Sequence, residues 1–175
     1  ALRSSLLHIA NIRGDEKQER AQLDAALAEC PLCYVPRKQY LNAITPRWGG
    51  SHERMQAFFD DEVAPLVAQN PRLAMLAGTL ADDECQTLAE AKELIQADAK
   101  CDAALAFGDE VAFLRTKASV FTRNKQYDVA LPYLDRALAF APHDRRALRT
   151  REFARLELQD MLGAARDLIT LRHLE

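Results

Sequence analysis

The chain is 175 residues long, 49% hydrophobic, with 6 Gly, 7 Pro and a formal net charge of −3. That length buries a sizeable core as one domain or one short array, and the mild negative charge gives no general pull towards nucleic acid or an anionic membrane. No apolar run approaches the ~20 residues needed to span a bilayer, and an alanine- and leucine-rich composition without alternating β-branched runs points to an all-helical protein.

Residues 2–10 make a first helix candidate, closed by Gly14, and residues 16–30 a second, with Leu23, Ala26, Leu27 and Cys30 on one face. Cys30-Pro31-Leu32-Cys33 is a C-x-x-C pair. Cys30 closes a helix, where the dipole disfavours a thiolate, and no second close pair completes a zinc site, since Cys85 and Cys101 are 16 apart. Ordinary helix-end cysteines are therefore expected, with a thiol redox or metal-binding role for Cys30 and Cys33 as the alternative.

Pro36 opens the next helix, to about Ile44, and Thr45-Pro46 ends it. Pro46-Arg47-Trp48-Gly49-Gly50-Ser51 follows and contains the only tryptophan. The simpler expectation is that Trp48 packs between helices while the glycines turn the chain. The functional expectation is an exposed recognition loop anchored by Trp48 and Arg47. Ser51 should cap a helix over 52–69, with Met55, Phe58, Phe59, Val63, Leu66 and Val67 on one face and Pro65 kinking it or thinning its hydrogen bonds. Asn70-Pro71 should start another, to about residue 87, interrupted at Gly78 or Asp82-Asp83. The acidic runs Asp60-Asp61-Glu62 and Asp82-Asp83-Glu84 read as solvated carboxylates.

A helix over about 89–107 leads into the best-defined segment, Val111–Asp144, which is 34 residues long. Val111, Leu114, Ala118 and Phe121 share one helical face, and Tyr127, Ala130, Leu131, Leu134, Ala137 and Leu138 share another. Asn124-Lys125-Gln126 makes the turn between them, Pro142 stops the second helix and Asp144 caps the next. A lone helix pair cannot bury both apolar faces, so it must stack on neighbours. Ala-Leu-Ala strings before Cys30, Phe107 and Phe140 echo the same unit. Helices near 145–158 and 161–173 complete the chain.

Leu114, Ala118, Phe121, Tyr127, Ala130, Leu134, Ala137 and Pro142 resemble the signature positions of the tetratricopeptide repeat, with Lys117 departing from the family's leucine. The segment 20–142, with its PRWGGS, also resembles a bacterial family of unknown function with tetratricopeptide-like helices. These resemblances imply one domain over 1–175, an α-solenoid of antiparallel helix pairs numbering about nine or ten helices in all. They imply a non-catalytic protein-interaction module without cofactor. The family's groove positions map to Ala112, Arg115, Ser119 and Thr122, and the asparagine of its carboxylate clamp is absent. The family register also places Arg151, Glu152 and Arg155 at buried positions, so either the register slips or that helix is an exposed cap, solvated and partly paired to Glu152 and Asp144.

The expected partner is a protein or peptide with an acidic stretch, held by Arg115, Arg123 and Arg149 through guanidinium forks, with self-association as a further option. Nucleic acid is disfavoured because the arginines of 145–155 are interleaved with a single aromatic, Phe153. No nucleophile–base or phosphate-binding motif occurs. The chain begins at Ala1 without a methionine, so upstream residues, including a removed signal peptide, stay open; a cytoplasmic setting is expected. Leu174-Glu175 fits either native sequence or a cloning remnant.

Overall fold

Ser51, Asn70, Asp144 and Asp160 each place a side-chain oxygen on a backbone N–H of the helical turn that follows, and so set where four of the chain's helical segments begin. The computed structural model describes residues 16–174, so the helix expected over 2–10 and its closure at Gly14 lie outside the described residues. Among the described residues there are nine α-helices and no strand. They are α1 (Glu16–Glu29), α2 (Tyr34–Ala43), α3 (His52–Phe58), α4 (Met75–Glu90), α5 (Leu94–Leu105), α6 (Val111–Arg123), α7 (Tyr127–Phe140), α8 (Arg145–Glu157) and α9 (Met161–Arg172). None is long and apolar enough to cross a membrane.

The chain divides into two compact units, one ending at Asp83 and the other beginning at Glu84, within α4. The first is built on a core of Leu23, Leu41, Ile44, Met55, Phe58, Val63 and Leu76, with the rings of Tyr40 and Phe58 4.8 Å apart. The helix expected over 52–69 is α-helical only to Phe58. It widens to a π-helical stretch over Phe59–Val63 and tightens to a 3₁₀ turn over Ala64–Leu66. Pro65 supplies no N–H, so the hydrogen-bond ladder must change register around it. The next helix runs uninterrupted through Gly78, Asp82 and Asp83 to Glu90, because both halves are anchored by buried side chains, Leu76 and Leu80 in the first and Cys85 and Ala89 in the second.

In the second unit α5 packs on α6, α6 on α7, α7 on α8 and α8 on α9, and α6 also touches α8. Its larger core gathers Leu114, Ala118, Ala130, Leu134, Ala137 and Leu148. The turn at Asn124–Gln126 falls where the sequence puts it, whereas α5 starts at Leu94, later than expected.

Three helix ends in this unit are closed in the same way. Lys92, Lys125 and Gln159 each take a left-handed conformation, with φ of 65°, 58° and 62°. The residue after each donates its N–H back to Leu88, Phe121 and Arg155 respectively, at 2.9, 2.9 and 2.8 Å. The left-handed residues donate to Ala89, Thr122 and Leu156. This is the Schellman closure, which satisfies the last helical carbonyls. The three closures recur at intervals of 33 and 34 residues.

Candidate functional site

The first helix before each of these closures contributes one wall to a cleft of about 260 Å³. From α4 come Gln86, Ala89 and Glu90, from α6 Arg115, Thr116, Ser119 and Arg123, and from α8 Arg146 and Thr150. All lie within the second unit. The four-residue spacings Arg115/Ser119 and Arg146/Thr150 put each pair on one face of its helix.

The donors in this cleft can be counted. The Thr116 hydroxyl donates to the carbonyl of Ala112 at 3.1 Å and that of Thr150 to the carbonyl of Arg146 at 2.9 Å. Neither keeps a proton to offer a ligand. Arg115 Nη1 donates to Asp144 Oδ2 at 2.8 Å, and the other oxygen of Asp144 accepts from the N–H of Ala147 at 2.8 Å. One carboxylate thus caps α8 and orients Arg115. Arg123 and Arg146 are exposed, and neither guanidinium has an ion-pair partner among the described residues. Three guanidinium groups, the Ser119 hydroxyl and the Gln86 amide therefore line an opening whose one carboxylate is Glu90. Such a lining presents N–H donors to acceptor-rich groups.

Of the residues expected from the sequence, Arg115, Ser119 and Arg123 come together here. Thr122 sits on α6 with its hydroxyl donating to the Ser119 carbonyl at 3.0 Å, and it does not line the cleft. Arg149 is exposed on α8 but also outside the lining. Its place is taken by Arg146, three residues earlier. The sequence clue to Arg146 was its repetition, with Thr150, of the spacing between Arg115 and Ser119. Gln86, Glu90 and Thr116 carried no such clue.

Arg47 and Trp48 belong to the first unit, in a 3₁₀ turn over Pro46–Trp48 closed by Gly49 at φ 90°. Trp48 is 50% exposed, so it does not pack as a plug between helices. Gly50 has no room for a side chain, since a Cβ would run into the Ile44 carbonyl.

All four cysteines are paired, Cys30 with Cys33 and Cys85 with Cys101. The second bridge ties α4 to α5 in a small core of Ala89, Ala97 and Val120. The acidic runs are likewise not simply solvated. Arg20 reaches both oxygens of Glu62, His52 Nε2 lies 2.8 Å from Asp83, and Lys100 lies 2.6 Å from Glu84. Among the described residues no group of three or more His, Cys, Asp or Glu side chains is arranged to hold a metal.

Lys117 is buried, at 2% exposure, between Asp98 (2.5 Å) and Asp102 (2.7 Å), with the rings of Phe121 and Tyr133 5.4 and 6.0 Å from its ammonium. Burial pushes its pKa down, but the hydrogen bonds and charges of Asp102 and Asp98 outweigh burial and leave it raised. The arginines of α8 divide, with Arg145, Arg146 and Arg149 exposed. Arg151 and Arg155 are largely covered and converge on Asp167, which is 3% exposed.

No protein-family model matches this chain, and no curated protein matches it.

Proposed function

We propose that this chain is a tetratricopeptide-like helical-repeat module that binds an acidic segment of a protein partner. The observation that carries the reading is the cleft in which Arg115, Arg123 and Arg146 meet on the first helices of successive pairs. The 33- and 34-residue recurrence of the Schellman closures supports the repeat reading. So does the full burial of Ala118 and Ala130, the small residues that let paired helices approach closely. In a solenoid of this type the first helices line the concave face, and an extended segment lying there would offer carboxylates to the guanidiniums.

A fluorescein-labelled peptide of alternating Glu and Gly, titrated in fluorescence anisotropy, tests the reading. Binding should weaken steeply with added salt, because the cleft is exposed and its charges are screened. A peptide of alternating Gln and Gly binding as well would remove the charge argument.

The four paired cysteines favour an oxidising compartment over the cytoplasmic setting expected from the sequence. A second reading, thiol–disulfide exchange by Cys30 and Cys33, draws on one observation. Cys33 occupies the N-cap of α2, where the helix end favours a thiolate. In the reduced protein Cys33 should then alkylate well below pH 8; reaction only near the ordinary ~8.5 removes that reading.

A further inference from the structure

The bridged loop from Cys30 to Cys33 lies between two helix ends of opposite character. Cys30 follows the C-terminus of α1 and Cys33 is the N-cap of α2, so the helix ends favour negative charge on Cys33 and oppose it on Cys30. Both cysteines are partly exposed. One turn into α2 stands Arg37, only 3% exposed. Helical side chains lean towards the N-terminus, and Arg37 Nη1 donates to the Cys33 carbonyl at 3.0 Å. Its Nε is buried and has no acceptor. The carboxylate whose charge reaches Arg37 is Glu62, and Arg20 grips both oxygens of Glu62. Burial pushes the Arg37 pKa down. A buried cation without a counter-charge of its own is costly. The other charges around the loop are Glu29, beside Cys30, and Lys38 and Arg72, which stand 5.8 and 4.8 Å from the centre of the Tyr34 ring.

We infer that Arg37 makes the Cys30–Cys33 bridge a disulfide donor to dithiols of other proteins. Reduction puts a thiolate on Cys33, which supplies the counter-charge that the buried guanidinium lacks and so stabilises the reduced pair. The inference rests on the thiol–disulfide reading given above and adds the direction of exchange and the residue that sets it. A thiolate of the substrate dithiol attacks Cys30 Sγ. The bond between Cys30 and Cys33 breaks, and its electron pair leaves on Cys33 Sγ, the better leaving group of the two. The substrate's second thiolate then attacks the substrate sulfur of the mixed disulfide and expels Cys30, which takes a proton from water. The substrate gives up two electrons and becomes a disulfide, the cysteine pair takes them up, and no further oxidant enters.

The test equilibrates the whole chain in glutathione buffers and follows Cys30 and Cys33 by mass spectrometry of alkylated peptides, which keeps them apart from Cys85 and Cys101. Wild type should be half reduced at a ratio of glutathione squared to glutathione disulfide at least about tenfold lower than Arg37→Met or Arg37→Gln requires. Arg37→Lys, which keeps the charge, should return towards wild type. In the reduced wild type Cys33 should alkylate well below pH 8, and in both neutral variants about one pH unit higher. Arg37→Met should unfold at no lower urea concentration than wild type, because it removes a buried charge without its own counter-charge. Arg37→Gln against Arg37→Lys carries the comparison by itself, since both keep a polar head. Wild-type Cys33 that reacts only near the ordinary ~8.5 removes the exchange reading and this inference with it. A low wild-type value that both neutral variants keep leaves the exchange reading standing and overturns the role of Arg37. A glutathione equilibrium unchanged in the neutral variants overturns it too.

Discussion

Arg151 grips Asp167 with two prongs, Nε to Oδ2 at 3.0 Å and Nη2 to Oδ1 at 2.6 Å, which joins α8 to α9. Arg155 Nη1 adds a third bond to the same carboxylate at 2.9 Å and also donates to the Gly163 carbonyl at 3.1 Å. Arg151 Nη1 reaches Asp135 on α7 at 2.7 Å.

Asp167→Ala would leave two guanidiniums largely covered and without their shared carboxylate. Because both keep some contact with water, the expected loss is about 2 to 3 kcal/mol rather than the full cost of a buried orphan charge. Asp135, at 55% exposure, sits in a far wetter place. Asp135→Ala should cost less than about 1 kcal/mol. Urea denaturation of the two variants checks this, and equal losses would show that the Asp167 pair adds nothing beyond a surface bridge.

The Lys117 ammonium has a pKa raised above its ordinary value, so the charged form is favoured by folding. The stabilisation is fully present below the unfolded pKa of about 10.4 and is lost as pH rises through the higher folded value. Thermal unfolding followed from pH 9 upward should show this alkaline loss, and Lys117→Leu should abolish it. Asp102, at 65% exposure, keeps its water when the lysine goes, but Asp98 Oδ1, which meets the ammonium, is buried and would lose its partner. Lys117→Leu should therefore cost about 1 to 3 kcal/mol, and Lys117→Ala, which adds a cavity, more.

Gly50→Ala forces a Cβ into the backbone of Ile44, a buried residue that cannot move away cheaply. Gly49 has open space but a positive φ of 90°. Gly49→Ala should cost about 1 to 2 kcal/mol from backbone strain alone, and Gly50→Ala more. Reversed order in chemical denaturation would contradict the geometry of this turn.

What the sequence made legible was local. The turn at Asn124–Gln126, the caps at Ser51 and Asp144 and the disturbance at Pro65 each depend on residues within a few positions. What it hid were partnerships across helices. Lys117 meets Asp98 and Asp102 from the preceding helix, and Arg151 meets Asp167 from the following one. A periodicity argument sees a charge on an inward face as an exception, because it cannot see the opposite charge that makes the position tolerable. Cys85 and Cys101 were hidden for the same reason: their separation of 16 residues means nothing until α4 and α5 lie side by side. In the cleft, Arg115 and Ser119 were among the groove positions that the resemblance implied, and Arg123 was expected beside them as a carboxylate-holding arginine. Arg146 was confused with Arg149 because both sit on α8, and only the rotation of that helix decides which one meets α6.

The central claim, that the arginine cleft recognises carboxylates, is tested most directly by a charge-swap cycle. The Glu-Gly peptide and a Lys-Gly counterpart are each titrated against wild type and against the chain carrying Arg123→Glu and Arg146→Glu. Both positions are exposed and carry no ion pair among the described residues, so the fold should tolerate the change. The account predicts that the acidic peptide loses at least about tenfold in affinity while the basic peptide gains, with a coupling that shrinks as salt rises. Undiminished binding of the acidic peptide to the reversed cleft would contradict it.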